Sequence, residues 1–285
     1  MSDTTFFPVT REQWQAQAEK DLRGRPLASL TRTTADGIAV SPLYTAEDLE
    51  RLELPEIAGA RGQGQGWLAV QEIRHADPRQ ANAAALSDLR RGAQGVRFIL
   101  DGRLQAGREA GSSADGLVLD PHRDLGTLLA GIDPLRTPVT FEAGLRAPAL
   151  AEALAEWLED RETDEPGLAR SGVLYNPLAP VLRSGEVPRN LDGLFGEQVD
   201  ATLGSALGLL SISTAPWHDA GAGDVEELAL ALATCAELLR RGQALGLEIG
   251  DLTERMSWTL AVAGRPFEAI AKLRAARALW AKFSA

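Results

Sequence analysis

His218 combines a reactive side chain with a position at which folds of alternating strands and helices build active sites. It follows Leu209–Ser213, an apolar run that predicts a buried strand, and so would stand near the carboxyl end of that strand. An imidazole there can hold a carbonyl oxygen or exchange a proton near neutral pH. The alternative is a loop histidine without a chemical role, and the position alone leaves both open.

The remainder of the sequence contains few residues or motifs that are typical of catalytic or metal sites. The single cysteine, Cys235, lies at helical spacing in a run rich in Ala and Leu, which predicts a small buried side chain rather than a reactive thiol. One cysteine forms no disulfide within the chain, which suits a reducing cytoplasm. The sequence shows no ligand spacing typical of a metal site. It also lacks a serine-hydrolase motif and the glycine loops that bind phosphates or dinucleotides.

Strand-like and helix-like stretches alternate from residue 67 onward. The predicted strands are Trp67–Ile73, Gly95–Leu100, the short Gly116–Leu119, Pro138–Ala143, Gly172–Tyr175, Leu209–Ser213 and Met256–Val262. The predicted amphipathic helices are Pro78–Arg91, Asp124–Gly131, Ala147–Glu159, Asn190–Leu207, Asp224–Leu245 and Pro266–Phe283. This alternation predicts an α/β fold with a parallel sheet, either a barrel or a doubly wound sheet. The glycine-rich residues 59–66 predict a linker, and the polar residues 101–115 predict a mobile loop.

Residues 1–60 predict an N-terminal arm that precedes a main domain at 61–285. Thr10, with a glutamine three residues later, forms a capping box that begins a short helix ending at Leu22. Ala35–Gly37 predicts the turn of a hairpin. The two strands of that hairpin are predicted at Leu30–Thr33 and Gly37–Val40.

The composition favours a folded protein and narrows its partners. Apolar residues make up 45% of the 285, which is enough for a sizeable core. The formal net charge of −11 argues against nucleic acid and anionic membranes as partners. The sequence contains no apolar run of about 18 residues that could span a membrane, and its first residues do not resemble a signal peptide. We therefore expect a cytoplasmic protein.

Motifs near both ends of the chain resemble the methylmalonyl-CoA mutase family. They are TADGIAVSPLYTAEDL at 34–49, AGAG at 220–223, Glu-Leu-Ala at 227–229 and IAKLRAARALW at 270–280. The resemblance implies the (βα) TIM-type barrel of that family, with the arm in its subunit contact region. The alternative is that the arm packs on its own barrel. About six βα units are present, whereas a closed barrel has eight. The expected fold is therefore an incomplete barrel with an N-terminal arm and without a cobalamin-binding domain.

The position of the family's catalytic histidine holds a proline in this chain. Catalytic members carry Ile-Ser-Ile-Ser-Gly-Tyr-His, and this histidine holds the thioester carbonyl. Alignment without gaps on Ser211–Ser213 and Ala220–Ala222 places Pro216 at the histidine and His218 two residues later. A proline side chain neither donates nor accepts a hydrogen bond. By the resemblance, His218 is a displaced histidine rather than the catalytic one.

Two further family motifs are altered. The tyrosine-bearing loop before the first strand, which contacts CoA in catalytic members, is replaced by Gln63–Gly66. The family's Gly-Thr-x-Gln-Asn-Asp becomes Gly172–Pro177, in which Asn176 is kept but Tyr175 replaces the glutamine and Pro177 the aspartate. Three changes within one active site imply that its chemistry is lost.

Some residues keep a candidate role. Arg255 aligns with an arginine that contacts CoA in catalytic members, so it is a candidate substrate-binding residue, with a structural arginine as the alternative. Asp120 and His122 resemble the Asp-x-His-x-x-Gly of cobalamin-binding domains, but the glycine comes one residue too late, and we predict no metal ligand here. The basic residues of the closing helix are expected to face acids of a neighbouring helix. They are Lys272, Arg274 and Arg277.

The resemblance therefore implies the small (beta) subunit of a methylmalonyl-CoA mutase, without catalytic or cofactor-binding residues of its own. Such a subunit forms a heterodimer with a large catalytic subunit that binds adenosylcobalamin. The pair interconverts (R)-methylmalonyl-CoA and succinyl-CoA by a radical 1,2-shift. A CoA ester stays open as a small-molecule partner of this chain. The alternative is a divergent catalytic acyl-CoA mutase barrel that uses His218 and takes its cobalamin domain from another polypeptide.

Overall fold

The computed structural model describes residues 9–52, 67–111, 114–159, 170–202 and 207–284. The arm contains α1 (Arg11–Asp21), β1 (Arg32–Thr33), β2 (Ala39–Val40) and α2 (Ala46–Glu50). The first half of the main domain contains β3 (Val70–Ile73), α3 (Pro78–Arg90), β4 (Gly95–Ile99), α4 (Gly102–Gln105), α5 (Pro121–Leu128), β5 (Val139–Glu142) and α6 (Ala147–Glu159). The second half contains β6 (Gly172–Tyr175), α7 (Leu178–Ser184), α8 (Leu191–Thr202), β7 (Gly208–Ser213), α9 (Ala215–Asp219), α10 (Asp224–Ala244), α11 (Ile249–Glu254), β8 (Met256–Thr259) and α12 (Pro266–Phe283).

Six parallel strands form one sheet in the order β3-β4-β5-β6-β7-β8, so each strand pairs with the next one in the sequence. In a flat sheet, β4 and β8 would lie about 19 Å apart at four strand spacings. Yet Arg97 on β4 donates a hydrogen bond to Thr259 Oγ1 on β8 over 3.1 Å. The sheet must therefore curl until its strands face one another. The predicted incomplete barrel of six βα units is confirmed.

The two faces of the curled sheet differ in polarity. Side chains that alternate along the strands toward the helices are apolar and buried. They include Val96, Phe98, Val139, Phe141, Val173, Tyr175, Leu210 and Ile212. Phe98 and Phe141 stack with ring centroids 5.4 Å apart. The concave face instead carries polar residues such as Arg97, Glu142, Ser211 and Ser213. The core thus lies between sheet and helices, and the concave face is left for polar contacts.

Three local predictions differ from the structure. Gly116–Leu119 is not a strand, since only a single bridge joins Leu117 to Leu100. Helix α5 begins at Pro121 rather than at residue 124, because the Asp120 side chain caps it and proline suits a first helical turn. Residues 101–115 are not simply a loop. Asp101 is buried and caps α4 by accepting from two backbone N–H groups.

The described part of the arm matches its sequence signals. The Thr10 capping box forms with both of its hydrogen bonds, and β1 pairs antiparallel with β2 across the predicted turn. Gly37 in this turn has φ +80°, which favours glycine. Asp48 accepts hydrogen bonds from the Thr45 backbone and from the Arg11 guanidinium, and these hold the pKa of its carboxyl below the usual range. The arm thus carries its own local caps and ion pair.

The border at residue 60, the glycine-rich linker at 59–66 and the altered loop Gln63–Gly66 lie outside the described residues. Among the helices that the structure describes, none combines the length and hydropathy needed to cross a bilayer.

Candidate functional site

The carboxyl ends of the strands form a mouth in which nine of the described residues enclose a small cavity. They are Gln105, Glu142, Gly144, Asn176, Ala179, Pro180, Ser211, Ser213 and Pro216. The cavity that they enclose has a volume of about 10 Å³. A single water needs roughly 10–15 Å³ of such space, and small-molecule sites run to several hundred. Between these described residues there is room for about one water and none for an acyl group.

An ion-pair network occupies the concave face beneath the mouth. The guanidinium of Arg97 contacts Glu142 Oε2 over 2.8 Å, and the other oxygen of this carboxylate lies 3.6 Å from Arg183. Arg183 also donates to Gln105 Oε1 over 3.2 Å, and Gln105 in turn donates to the Leu100 carbonyl over 2.7 Å. The charged groups of the face therefore bind each other.

Pro216 borders the small cavity at the strand ends from the first turn of α9. Proline is favoured there because its fixed φ fits the helix start and its missing N–H would have no partner. The turn is held by the Ala215 N–H, which donates to Ser213 Oγ over 3.3 Å. Pro216 thus offers this cavity only an apolar ring.

Tyr175 at the end of β6 and Asn176 after it both have structural contacts. Tyr175 is fully buried on the helix side of the sheet, where its ring lies 6.1 Å from that of Phe195. Burial raises the pKa of its phenol. The side-chain oxygen of Asn176 accepts from the backbone N–H groups of Leu178 and Ala179, and so holds the start of α7. Its amide nitrogen is buried without a partner among the described residues, at the small cavity of the mouth.

His218 lies elsewhere, in a chain of charged contacts between α9, α10 and α12. Its Nδ1 is 2.8 Å from Glu227 Oε1, and Glu227 is fully buried. Lys272 donates to Glu227 Oε2 over 2.6 Å, to Asp224 Oδ1 over 2.9 Å and to the Ala261 carbonyl over 2.9 Å. Breaking one partner of such a buried pair typically costs about 3–5 kcal/mol. This cluster therefore fixes both the ring of His218 and the packing of α12 on α10.

The same histidine borders a second cavity, of about 430 Å³, between the arm hairpin and helices α10 and α12. Asp36 reaches across from the hairpin, and its Oδ1 accepts the Val225 N–H at the start of α10 over 3.2 Å. Gly223 allows this approach, because a Cβ there would collide with the Asp36 carboxylate. His218 is thus near a strand end, as its position predicts, but it faces a cavity outside the mouth.

Arg255 uses its guanidinium within the protein. Its Nε donates to the Leu207 carbonyl over 3.0 Å and its Nη2 to the Thr202 carbonyl over 2.9 Å. Burial lowers the pKa of this guanidinium, and the nearby Asp251 carboxylate partly offsets that effect. The candidate substrate-binding residue thus ties the start of β7 to the end of α8.

The remaining candidates also have structural contacts. Asp120 caps α5, and His122 is largely exposed, with Nδ1 3.5 Å from Glu156 Oε2. Cys235 is buried as predicted, and burial raises the pKa of its thiol to about 11. Arg274 and Arg277 form no ion pair within the part of the chain that the structure describes. The described residues also hold no group of three or more His, Cys, Asp or Glu suited to a metal ion.

The sequence analysis did not identify the charged residues of the concave face or those of the cluster beside His218. Arg97 and Glu142 occur in otherwise apolar strands, and this is the signal that could have flagged them. Glu227 and Lys272 both lie within the family motifs, but only their pairing explains why a buried helix face keeps charges.

Comparison with known proteins places these observations in a family. The family model described as methylmalonyl-CoA mutase matches residues 33–285. The methylmalonyl-CoA mutase small subunit of Streptomyces virginiae is 30% identical over 97% of this chain and 45% of its own length. The methylmalonyl-CoA mutase of Cereibacter sphaeroides is 30% identical over 94% and 41%, respectively. The large subunit from Streptomyces virginiae is 29% identical over 95% and 40%.

The chain spans less than half the length of these curated relatives. Its identity to a small subunit and to a large subunit is nearly equal, so overall similarity does not distinguish the two. The distinction between a small and a large subunit therefore has to rest on the residues at the strand ends.

Proposed function

We propose that this chain, which belongs to the methylmalonyl-CoA mutase family, is the non-catalytic small-subunit member of an adenosylcobalamin-dependent methylmalonyl-CoA mutase. In this proposal a large subunit supplies the active site and the cofactor, and the complex isomerises methylmalonyl-CoA to succinyl-CoA. This chain contributes a surface for assembly and no catalytic residues, since proteins that share a fold need not share the function of its site.

The small cavity at the strand ends is the observation that carries the proposal. Pro216, which the resemblance aligns with the histidine of the family, borders this cavity, and its volume is about 10 Å³. Below it, Arg97 and Glu142 satisfy each other's charge across the concave face. An active site must instead keep polar groups and space for its substrate. Between these described residues, a substrate would have to displace a hydrogen-bonded ion-pair network.

Exposed apolar side chains on α12 support the role in assembly. Phe267, Ile270 and Leu273 are exposed at a spacing of three residues and so lie on one side of the helix. Exposed apolar surface of this kind is typical of an interface with another protein. The names of relatives include both small and large subunits, so a two-subunit enzyme is the partner arrangement that we propose.

The residues of this chain do not fit a cobalt-ligating pair. Asp120 uses its carboxylate to cap α5, and His122 is held at the surface beside Glu156. We therefore assign adenosylcobalamin to the large subunit and derive no step of the reaction through it.

A mutase assay on purified proteins tests the proposal. The chain alone, the large subunit alone and the co-expressed pair would each receive adenosylcobalamin and methylmalonyl-CoA, and succinyl-CoA would be measured. Size-exclusion chromatography would establish whether the two chains form one complex. We expect co-elution and turnover in the complex, with none from this chain alone.

His218→Ala separates the proposal from a divergent catalytic barrel. We expect the complex that carries this variant to keep turnover within about twofold, because the mouth lies apart from His218. If turnover fell a hundredfold or more while the complex still assembled, His218 would be catalytic and the proposal would be wrong. The matched variant is His122→Ala, which removes an exposed histidine on α5.

A further inference from the structure

The cavity beside His218 has the dimensions of a small-molecule site. Its volume of about 430 Å³ lies within the range of roughly 300–1,000 Å³ that is usual for such sites. Most of its walls are apolar, and they come from the hairpin, α10, the segment after β8 and α12. Its apolar wall residues include Ile38, Val225, Leu228, Val262, Phe267 and Ala275.

The charged groups on the walls are already paired with protein atoms. Lys272 binds Glu227 and Asp224, and Asp36 accepts the N–H of a wall residue on α10. Glu268 lies 2.9 Å from Arg265, and Arg32 is 3.5 Å from the same carboxylate. A charged ligand would have to compete with these contacts, and the cost of an unpaired charge in an apolar cavity is high. The walls therefore favour an uncharged ligand.

The imidazole of His218 is the exception among the wall groups. Glu227 is bonded to the Lys272 ammonium, and an ionised carboxylate only accepts hydrogen bonds. Nδ1 of His218 must then carry the hydrogen that lies toward Glu227, so in the neutral ring Nε2 is an acceptor. No group within the described segments hydrogen-bonds Nε2, and the side chain is 35% exposed. In the neutral ring, the buried carboxylate thus leaves Nε2 as the acceptor of a side chain that lines the cavity.

We propose that this cavity binds a small uncharged molecule with an apolar body and one hydroxyl or N–H group, which donates a hydrogen bond to His218 Nε2. The apolar walls bind the body through area removed from water, and the histidine selects the donor. The site is separate from the strand mouth, and it stands whether or not the chain is a mutase subunit.

Two aromatic probes that differ in one donor test the proposal on the full chain. 2-Naphthol carries a hydroxyl, whereas naphthalene has the same apolar body without it, and the fluorescence of each reports binding. We expect saturable binding of one molecule of either probe per chain. 2-Naphthol should bind about five- to tenfold more tightly, as one net hydrogen bond allows.

Variants separate the donor from the apolar walls. His218→Phe keeps a ring and should bind both probes with equal affinity, while His122→Phe should keep the preference for 2-naphthol. Ala275→Phe and Val262→Trp each fill the cavity from a different wall and should abolish binding of both probes. Circular dichroism and thermal unfolding identify any variant that does not fold. If one cavity-filling variant does not fold, the other tests whether the probes bind in this cavity.

The proposal fails if wild-type protein binds neither probe saturably. It also fails if folded His218→Phe keeps the preference for 2-naphthol, or if a folded cavity-filling variant binds naphthalene as the wild type does. These outcomes do not bear on the mutase assay, which reads a different site.

Discussion

Three basic side chains in this protein bind their own chain instead of presenting charge to a ligand. Arg97 pairs with Glu142 on the concave face, Lys272 is enclosed by carboxylates, and Arg255 donates to two backbone carbonyls. Hydrogen bonds that involve a charged group are worth about 1.5–3 kcal/mol each, more than those between neutral groups. At the residue scale, these basic side chains therefore contribute to stability through contacts within the chain.

Replacing Arg255 tests that interpretation directly. Arg255→Ala should lower the free energy of unfolding by about 2–3 kcal/mol, because two carbonyl acceptors lose a charged donor. Arg255→Lys should lose most of this as well, since an ammonium lacks the two-pronged geometry of a guanidinium. Urea unfolding followed by fluorescence measures both variants.

Arg274→Ala is the matched control, because Arg274 is exposed on α12, and it should change the unfolding free energy by less than about 0.5 kcal/mol. The interpretation would be wrong if Arg255→Ala also left the unfolding free energy unchanged but weakened CoA binding. The side chain would then bind the ligand and not stabilise the fold.

At the scale of elements, β6 and β7 meet through two glycines. Gly172 begins β6 with φ +153°, and its neighbour in the sheet is Gly208 at the start of β7. A Cβ on Gly172 would lie 2.6 Å from the Gly208 carbonyl oxygen and 2.7 Å from its nitrogen. The backbones can approach this closely only without side chains. The close approach of β6 and β7 at this point therefore requires glycine.

Gly172→Ala should destabilise the protein by about 2–4 kcal/mol, since it combines backbone strain with a collision that the neighbouring strand cannot avoid. The control is Gly196→Ala on α8, where an added Cβ meets nothing within 4 Å. There alanine should stabilise the chain by about 0.4–1 kcal/mol, because it favours the helix and restricts the unfolded chain. Thermal unfolding of the two variants should shift in opposite directions, and equal shifts would refute the argument.

At the scale of the whole molecule, polar contacts join the described hairpin of the arm to helices α10 and α12. Asp36 caps α10 across 189 residues of sequence, and Arg32 lies 3.5 Å from Glu268 on α12. The 430 Å³ cavity lies between these two points. A segment with few buried apolar contacts opens more readily than the core. Docking of the hairpin should therefore be separable from folding of the barrel.

Asp36→Ala should loosen the hairpin without unfolding the rest. Loss of a helix cap costs about 0.5–2 kcal/mol, which is less than a typical domain stability. Hydrogen exchange should accelerate in residues 32–40 and stay unchanged in α6 (Ala147–Glu159). Asp21→Ala serves as the control, because Asp21 only accepts from Gln17 within α1. Uniform acceleration across the chain would show that the arm and barrel unfold together.

The sequence by itself determined the repeating architecture. The alternation of apolar strands with amphipathic helices predicted six βα units, and helices α6 and α12 begin and end where their patterns do. The hairpin at Ala35–Gly37 and the Thr10 capping box were also correct, because their hydrogen bonds join residues a few positions apart. Periodicity and helix caps depend on residues that are close in the sequence, so they can be predicted without knowing the fold.

Only the tertiary structure decided which charges meet. Lys272 lies 45 residues from Glu227, and Arg97 lies 162 residues from Thr259, so nothing in the local pattern pairs them. The sequence could place His218 after a strand, but it could not say that a buried carboxylate turns the ring toward the arm. Side-chain partners at this distance are set by the curl of the sheet and the packing of helices on it. For that reason the small cavity at the strand ends and the larger cavity beside His218 became visible only in three dimensions.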